Sequence, residues 1–137
     1  MDKYCVILIY NKDKSKILMC HRIKKPYIGL KNFVGGKIEK GESAIEAAYR
    51  EMTEETGITK SDIALEHIMS STYLKMEYVL EIFAGQLKKD VQIYGDENPL
   101  HWIDTTENFF DTQKYAGDGN LGHIIITADK TKKDLYG

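Results

Sequence analysis

Residues 36–58 read GKIEKGESAIEAAYREMTEETGI, and the interpretation of the whole chain turns on them. Ser43 followed three residues later by Glu46 is the pattern of a capping box, in which each side chain satisfies a backbone N–H left open at a helix start. Ala44, Ile45, Ala47, Ala48 and Met52 then supply helix formers and one apolar stripe. Gly57 suits the left-handed position that ends a helix. On a 3.6-residue repeat, Glu51 shares a face with Glu54 and Glu55.

Such a face is costly for a helix alone. Like charges one turn apart destabilise it by about 0.2–0.5 kcal/mol per pair, and Glu42 brings a fourth carboxylate nearby. An acidic run is ordinarily a solvated surface. Here it coincides with loop glycines, an embedded arginine and a capped helix, which points to a bound divalent cation. Hard oxygen ligands suit Mg²⁺, or Mn²⁺ as a substitute, and these ions take phosphate oxygens as further ligands.

The spacing is Gly36, five residues, Glu42, seven residues, then Arg50-Glu51-Met52-Thr53-Glu54-Glu55-Thr56-Gly57-Ile58. Every fixed position of the box that marks the Nudix hydrolases is filled, and the chain resembles that family. The resemblance implies an α/β/α sandwich with a mixed β-sheet and a loop–helix–loop box, and cleavage of a diphosphate linked to another group. It implies that Glu51, Glu54 and Glu55 hold the metal with the backbone carbonyl of Gly35. Arg50 would orient Glu51, and Glu42 would support that network. Glu97, five residues before Trp102, resembles the distant carboxylate of MutT-like members, as a further ligand or as the base. The base is then Glu51 or Glu97.

Composition fits this picture. The 137 residues suffice for one domain with its own core, spanning 1–137. With 42% hydrophobic and 29% charged residues, the chain reads as an ordinary globular protein. A net charge of −2 gives no electrostatic reason to expect a nucleic-acid polymer as partner. No apolar run approaches the ~20 residues of a membrane span. The start, MDKYCVILIYN, has neither the length nor the cleavage site of a signal peptide, so a cytoplasmic location is expected. Cys5 and Cys20 lack a CxxC or histidine partner and read as small core residues.

Outward from the box, residues 3–10 (KYCVILIY) form a buried strand, 11–15 a polar turn, and 16–20 a returning strand, together a hairpin. Arg22, Lys24 and Lys25 make a basic segment before Pro26, and Arg22 is the expected phosphate contact. Residues 27–36 are a loop and short strand delivering Gly35-Gly36, whose missing side chains let backbone approach a metal or phosphate. Strands are predicted at 63–71, 76–87 and 100–104, with Thr105 or Thr106 capping a helical turn through Phe110. Residues 120–133 suit strand or helix by propensity, and the resemblance implies helix.

Two segments bear on substrate. Lys31-Asn32-Phe33-Val34-Gly35-Gly36-Lys37 resembles the WNGFGGK-like run of the oxidised-purine triphosphatases. It implies that Asn32 reads the purine edge, with Gly36 and Lys37 on the substrate side. Tyr115-Ala116-Gly117-Asp118-Gly119-Asn120 resembles the base-binding loop of that branch, implying that Asp118 pairs with the purine and Tyr115 stacks on it. Singly, Asn32 is a turn residue and Asp118-Gly119 an Asp-Gly turn; jointly they indicate a purine pocket. Lys31 and Gly117 depart from that branch, where tryptophan and a second aspartate occur, and several relatives carry C-terminal strands beyond the point where this sequence stops. The expected function is Mg²⁺-dependent cleavage of a purine nucleoside triphosphate such as 8-oxo-dGTP to monophosphate and pyrophosphate, sanitising the nucleotide pool. The protein would be a monomer or homodimer acting on a small molecule, away from membranes. Alternatives are a dinucleoside polyphosphate or ADP-ribose as substrate, and a non-catalytic nucleotide sensor. Tyr73 stands near the position of a tyrosine in dinucleoside polyphosphate hydrolases, but it also reads as a plain strand residue.

Overall fold

The structure, a computed structural model, describes residues 1–23, 27–95, 98–117 and 119–136, except for the side chains of 131–136. Six strands form one sheet: β1 (Asp2–Tyr10), β2 (Lys16–His21), β3 (Lys31–Lys37), β4 (Glu66–Tyr73), β5 (Tyr78–Gln86) and β6 (Leu100–Asp104). Their order is β4-β5-β1-β3-β2-β6. β1 and β5 run parallel from Asp2↔Tyr78 to Tyr10↔Gln86, and the other pairings are antiparallel, so the sheet is mixed.

Strand periodicity explains the layers. Cys5, Ile7 and Ile9 of β1 pack on one face with Ala47, Ala48 and Met52 of α1 (Ala44–Thr56). Val6, Leu8 and Tyr10 face the other way, towards Leu121, Ile124 and Ala128 of α2 (Asn120–Tyr136). The result is the α/β/α sandwich with apolar side chains on both faces of the central strands. The helix α1 starts as its sequence requires: Ser43 accepts from the Glu46 N–H, and the Glu46 carboxylate accepts from the Ser43 N–H. It ends at Gly57, at φ 80°, whose N–H donates to the Thr53 carbonyl. Ile45 falls off the buried stripe and is exposed. Among the described residues no helix is long and apolar enough to cross a membrane.

Three expectations change. β1 and β2 do turn back on one another, but they pair only at Tyr10↔Ile17, because β3 inserts between them along most of their length. The helical turn after Thr105 is absent. Asp104, Asn108 and Asp111 each accept from the N–H two residues on, giving a chain of side-chain-capped turns instead. The predicted strand 63–71 begins later, at Glu66. Ile63 and Ala64 cross close over Gly85, where a side chain would fall 2.7 Å from the Ala64 carbonyl oxygen. Residues 120–133 lie within α2.

Candidate functional site

Arg50 joins the parts of the box. Its Nε and Nη2 donate to the two oxygens of Glu42, at 2.7 and 2.9 Å. Nη1 donates to Glu51 Oε1 at 2.9 Å and to Glu54 Oε2 at 3.3 Å, and Nη2 also donates to the Lys37 carbonyl at 3.1 Å. One guanidinium thus ties the loop, the end of β3 and the helix together, using the planar fork that lysine lacks. Glu42 also accepts from the Glu39 N–H. With Arg50 beside it, its carboxyl is pulled down to about 2.

The two inner glutamates meet β3 at its glycines. Glu55 Oε2 accepts from the Gly35 N–H at 3.1 Å. Glu51 lies over Gly36 so closely that a Cβ there would fall 2.5 Å from its carboxyl carbon. The Glu51 side chain is only 15% exposed. Burial raises its proton affinity, and the Arg50 guanidinium offsets this only in part. Glu54 remains outside, 57% exposed, tied to the site through Arg50.

Beyond the glycines a cavity of about 390 Å³ opens. Glu55, Gly35 and Gly36 line one end, Arg22, Asn32 and Asn98 its polar parts, and Phe33, Leu80, Leu121 and Ile124 its apolar parts. Such a volume is that of a small-ligand site, with few polar groups in an apolar lining. Asn32 turns its amide oxygen to the Phe33 N–H at 2.8 Å, and its NH₂ has no protein partner among the described residues.

The structure therefore brings Glu51, Glu55, Arg50, Gly35, Gly36, Asn32 and Arg22 together. Two expected residues lie elsewhere. Tyr115 is 1% exposed, packed against Phe109 with its hydroxyl donating to Glu107 at 3.0 Å, so it is a core residue and does not stack in the cavity. Its position is fixed by the bridge between Lys31 and Tyr115, which draws the segment under α2. Lys37 directs its ammonium to Asp2 at 3.6 Å and does not line the cavity. Glu97 and Asp118 lie outside the described residues, although Asn98 and Gly117 beside them line the cavity.

Sequence reasoning missed Tyr4, Tyr27, Tyr78 and Asn120 in this lining. Tyr27 adopts φ 66°, a conformation unfavourable to a residue with a Cβ. The ring of Tyr78 meets Tyr4 edge-on at 5.9 Å and stacks on Tyr73 at 4.8 Å. Asn120 closes the segment already compared with a base-binding loop; only its place at the start of α2 brings it to the cavity.

Among the described residues no three acidic, histidine or cysteine side chains gather into a ready-made metal cage. Mg²⁺ asks for less, commonly one or two carboxylates with water and phosphate oxygens. Glu51, held by Arg50 in a space a Cβ would fill, and Glu55, fixed by the Gly35 amide, are a donor set of that kind.

The NUDIX domain profile matches residues 2–121. The chain belongs to the Nudix family. It is 33% identical over 87 residues to an ADP-ribose pyrophosphatase of Methanocaldococcus jannaschii, covering 58% of this chain and 51% of that protein. It is 27% identical over 103 residues to the 8-oxo-dGDP phosphatase NUDT18 of Danio rerio, covering 74% of this chain and 32% of that one. The chain thus spans about half the length of the first relative and a third of the second. The solved C. elegans Ap4A hydrolase superposes with a TM-score of 0.77 at 18% identity, over 98% of this chain and 99% of that one, a likeness of fold.

Proposed function

We propose that this protein is a Mg²⁺-dependent hydrolase that cleaves a purine nucleoside triphosphate to the monophosphate and pyrophosphate. The observation that carries this reading is the continuity of the cavity with Gly35, Gly36 and Glu55. A ring held among Asn32, Phe33 and Leu121 would have its phosphate chain directed to the glycines and the glutamates. Glu51 and Glu55 would hold the ion, with Glu54, Glu97 and the Gly35 carbonyl as further oxygens. Bound there, Mg²⁺ would neutralise phosphate charge and acidify water.

The remaining work belongs to the chain. Arg50 holds Glu51 in place while its own charge is shared among three carboxylates. Arg22 supplies positive charge at the cavity. A carboxylate takes the proton as water attacks the β-phosphorus and the bond from that phosphorus to the α–β bridging oxygen breaks. Among the described glutamates Glu51 suits that task, since burial raises its proton affinity; Glu97 is the other candidate.

Two amides favour particular purines. Asn32 presents its NH₂, a donor. Asn120, with its NH₂ 2.8 Å from the Tyr73 hydroxyl, supplies an acceptor oxygen in that orientation, and the hydroxyl can serve either end of the amide. A donor with an acceptor matches an edge carrying one of each. Adenine has such an edge at N7 and N6, whereas guanine offers two acceptors at N7 and O6. Oxidation of guanine at C8 places a hydrogen on N7 and restores the match, consistent with 8-oxo-dGTP as substrate.

The test is chromatographic product analysis with Mg²⁺, reading monophosphate and pyrophosphate from dGTP, 8-oxo-dGTP and dATP, AMP and ribose phosphate from ADP-ribose, and AMP and ATP from diadenosine tetraphosphate, with Glu55→Gln as control. Turnover of 8-oxo-dGTP or dATP well above dGTP, lost in Glu55→Gln, supports the reading. Preference for ADP-ribose or the dinucleotide would overturn the triphosphate assignment, and binding without turnover would favour a sensor.

A further inference from the structure

We propose that Asn98 is a positioning residue that holds the backbone around Arg22 from the β6 side, so that the Arg22 guanidinium meets the phosphate chain. The inference rests on the phosphate role given to Arg22 above and goes beyond it. Both residues line the cavity whose other end is formed by Glu55, Gly35 and Gly36.

In an extended strand successive residues turn their N–H and C=O groups to opposite neighbours. The chain keeps that alternation for two residues beyond β2. Arg22 turns to the β3 side, where its N–H donates to the Leu30 carbonyl at 2.9 Å and its carbonyl accepts from the Gly29 N–H at 2.8 Å. His21 and Ile23 turn the other way. The His21 N–H donates to the Pro99 carbonyl at 2.8 Å, just past the last pair of the β2–β6 ladder, Cys20↔Leu100. For Ile23 the partner is a side chain: its N–H donates to Asn98 Oδ1 at 3.3 Å. A backbone N–H can only donate, so it fixes the amide with its oxygen towards Ile23. The residue before a proline is held extended, and the Asn98 carbonyl oxygen sits at Gly95, 3.1 Å from where a Cβ there would stand. The side-chain oxygen thus carries the ladder one step further. Arg22 is pinned by its own two bonds on one side and through both its neighbours on the other. Cys20, two residues back and so on the same face, also lines the cavity.

The decisive measurement is a double-mutant cycle of Asn98→Ala, Arg22→Ala and the two combined, reading kcat and KM for the nucleotide turned over best in the panel above. Arg22→Ala should raise KM about tenfold or more, the effect of a charged hydrogen-bonding partner. Asn98→Ala should raise KM about two- to tenfold, the effect of one neutral hydrogen bond, and leave kcat little altered. In the Arg22→Ala background the same change should add nothing, because Asn98 acts through the arginine. Losses that multiply in the double variant would mean that Asn98 works independently of Arg22, and would overturn the proposal alone. An Arg22→Ala protein with wild-type KM would overturn the phosphate role of Arg22 and the proposal with it.

A second readout does not depend on turnover. In the protein without nucleotide, the Ile23 amide proton should exchange with water faster in Asn98→Ala than in wild type, measured by NMR. Amides inside β2 should keep their wild-type rates, which shows that the variant is folded. Equal exchange at Ile23 in both proteins overturns the proposal.

Discussion

Adding one methyl group at either of two adjacent glycines should produce opposite phenotypes. At Gly35 a Cβ would overlap the Cys5 carbonyl oxygen and lie 3.1 Å from its carbon and 3.2 Å from Val6 Cα, all backbone of the paired strand. At Gly36 the atoms nearest the Cβ would be the end of the Glu51 side chain, with its carboxyl carbon and Oε1 at 2.5 Å. Backbone cannot retreat without opening the β1–β3 pairing. Overpacking of that kind costs about 1–3 kcal/mol, and Gly35→Ala should lower Tm by roughly 4–12 °C for a chain of this size. Gly36→Ala displaces a flexible carboxylate by about 0.5–0.9 Å, the shortfall between 2.5 Å and the 3.0–3.4 Å that tight real contacts occupy. Weakening one ion pair costs ~1 kcal/mol, and reduced unfolded-state freedom offsets it by about 0.4–1 kcal/mol. Its Tm should therefore stay within about 3 °C of wild type. Its turnover should fall roughly 10²-fold, because displacing a reacting group by about an ångström costs that much. Calorimetry and pyrophosphate release on the same preparations decide the matter. If Gly36→Ala keeps full activity, Glu51 is not held at a working position by the glycine, and the metal-site reading loses its main support.

Other outcomes follow from the same geometry. Arg50→Lys, unable to span Glu42, Glu51 and the Lys37 carbonyl, should lose about 10–100-fold in kcat or Mg²⁺ affinity; activity near wild type would mean that charge alone is needed. Glu42 has a folded-state pKa of about 2, depressed from 4.5 by Arg50, so its contribution to stability is complete above about pH 4.5 and disappears as pH falls towards 2. Thermal melts of wild type and Glu42→Gln should accordingly converge at the acid end of that window, and parallel curves would refute the pairing. Tyr115→Phe should lower stability by about 1 kcal/mol through loss of its bond to Glu107 and leave KM unchanged; a raised KM would return Tyr115 to the role of ring stacker.

Local patterns were legible in the sequence because their physics is local. The capping box at Ser43 and Glu46, the stop at Gly57 and the shared face of Glu51 and Glu55 each depend on residues within one or two helical turns. The tie between Arg50 and Glu42, eight positions apart with the N-cap and the start of α1 between them, is implied by the family resemblance and not by such a local pattern. The strand topology was not. Nothing in residues 3–20 says that β3 will enter between two strands joined by a short turn, since that outcome is decided by partners further along the chain. Tyr115 was misread because a tyrosine beside a glycine-rich loop fits a binding surface and a core equally well, and only the bridge to Lys31 separates them. Asn120 and Tyr73 were beyond reach as a pair, because their contact exists only once α2 has packed against the sheet edge at β4.

On the proposed reading the two ends of the site recognise a ligand by different physics, and they should prove separable. At the helix end the matter is charge. Arg50 faces Glu42, Glu51 and Glu54 with one positive charge against three negative, and Glu55 adds a fourth carboxylate a turn away. Lys37, beside Gly36, is directed to Asp2 instead. Carboxylates outnumber Arg50 there, so that end would attract a divalent ion whatever group the phosphate chain carries. At the cavity end the matter is hydrogen bonding, through Asn32, whose oxygen is engaged by the Phe33 N–H, and through Asn120. Changes at Gly36 or Arg50 should therefore slow every substrate in proportion, while changes at Asn32 or Asn120 should reorder substrates among themselves. On that reading, cleavage of different nucleotides needs no change in the glutamates, only in the side chains that line the other end of the cavity.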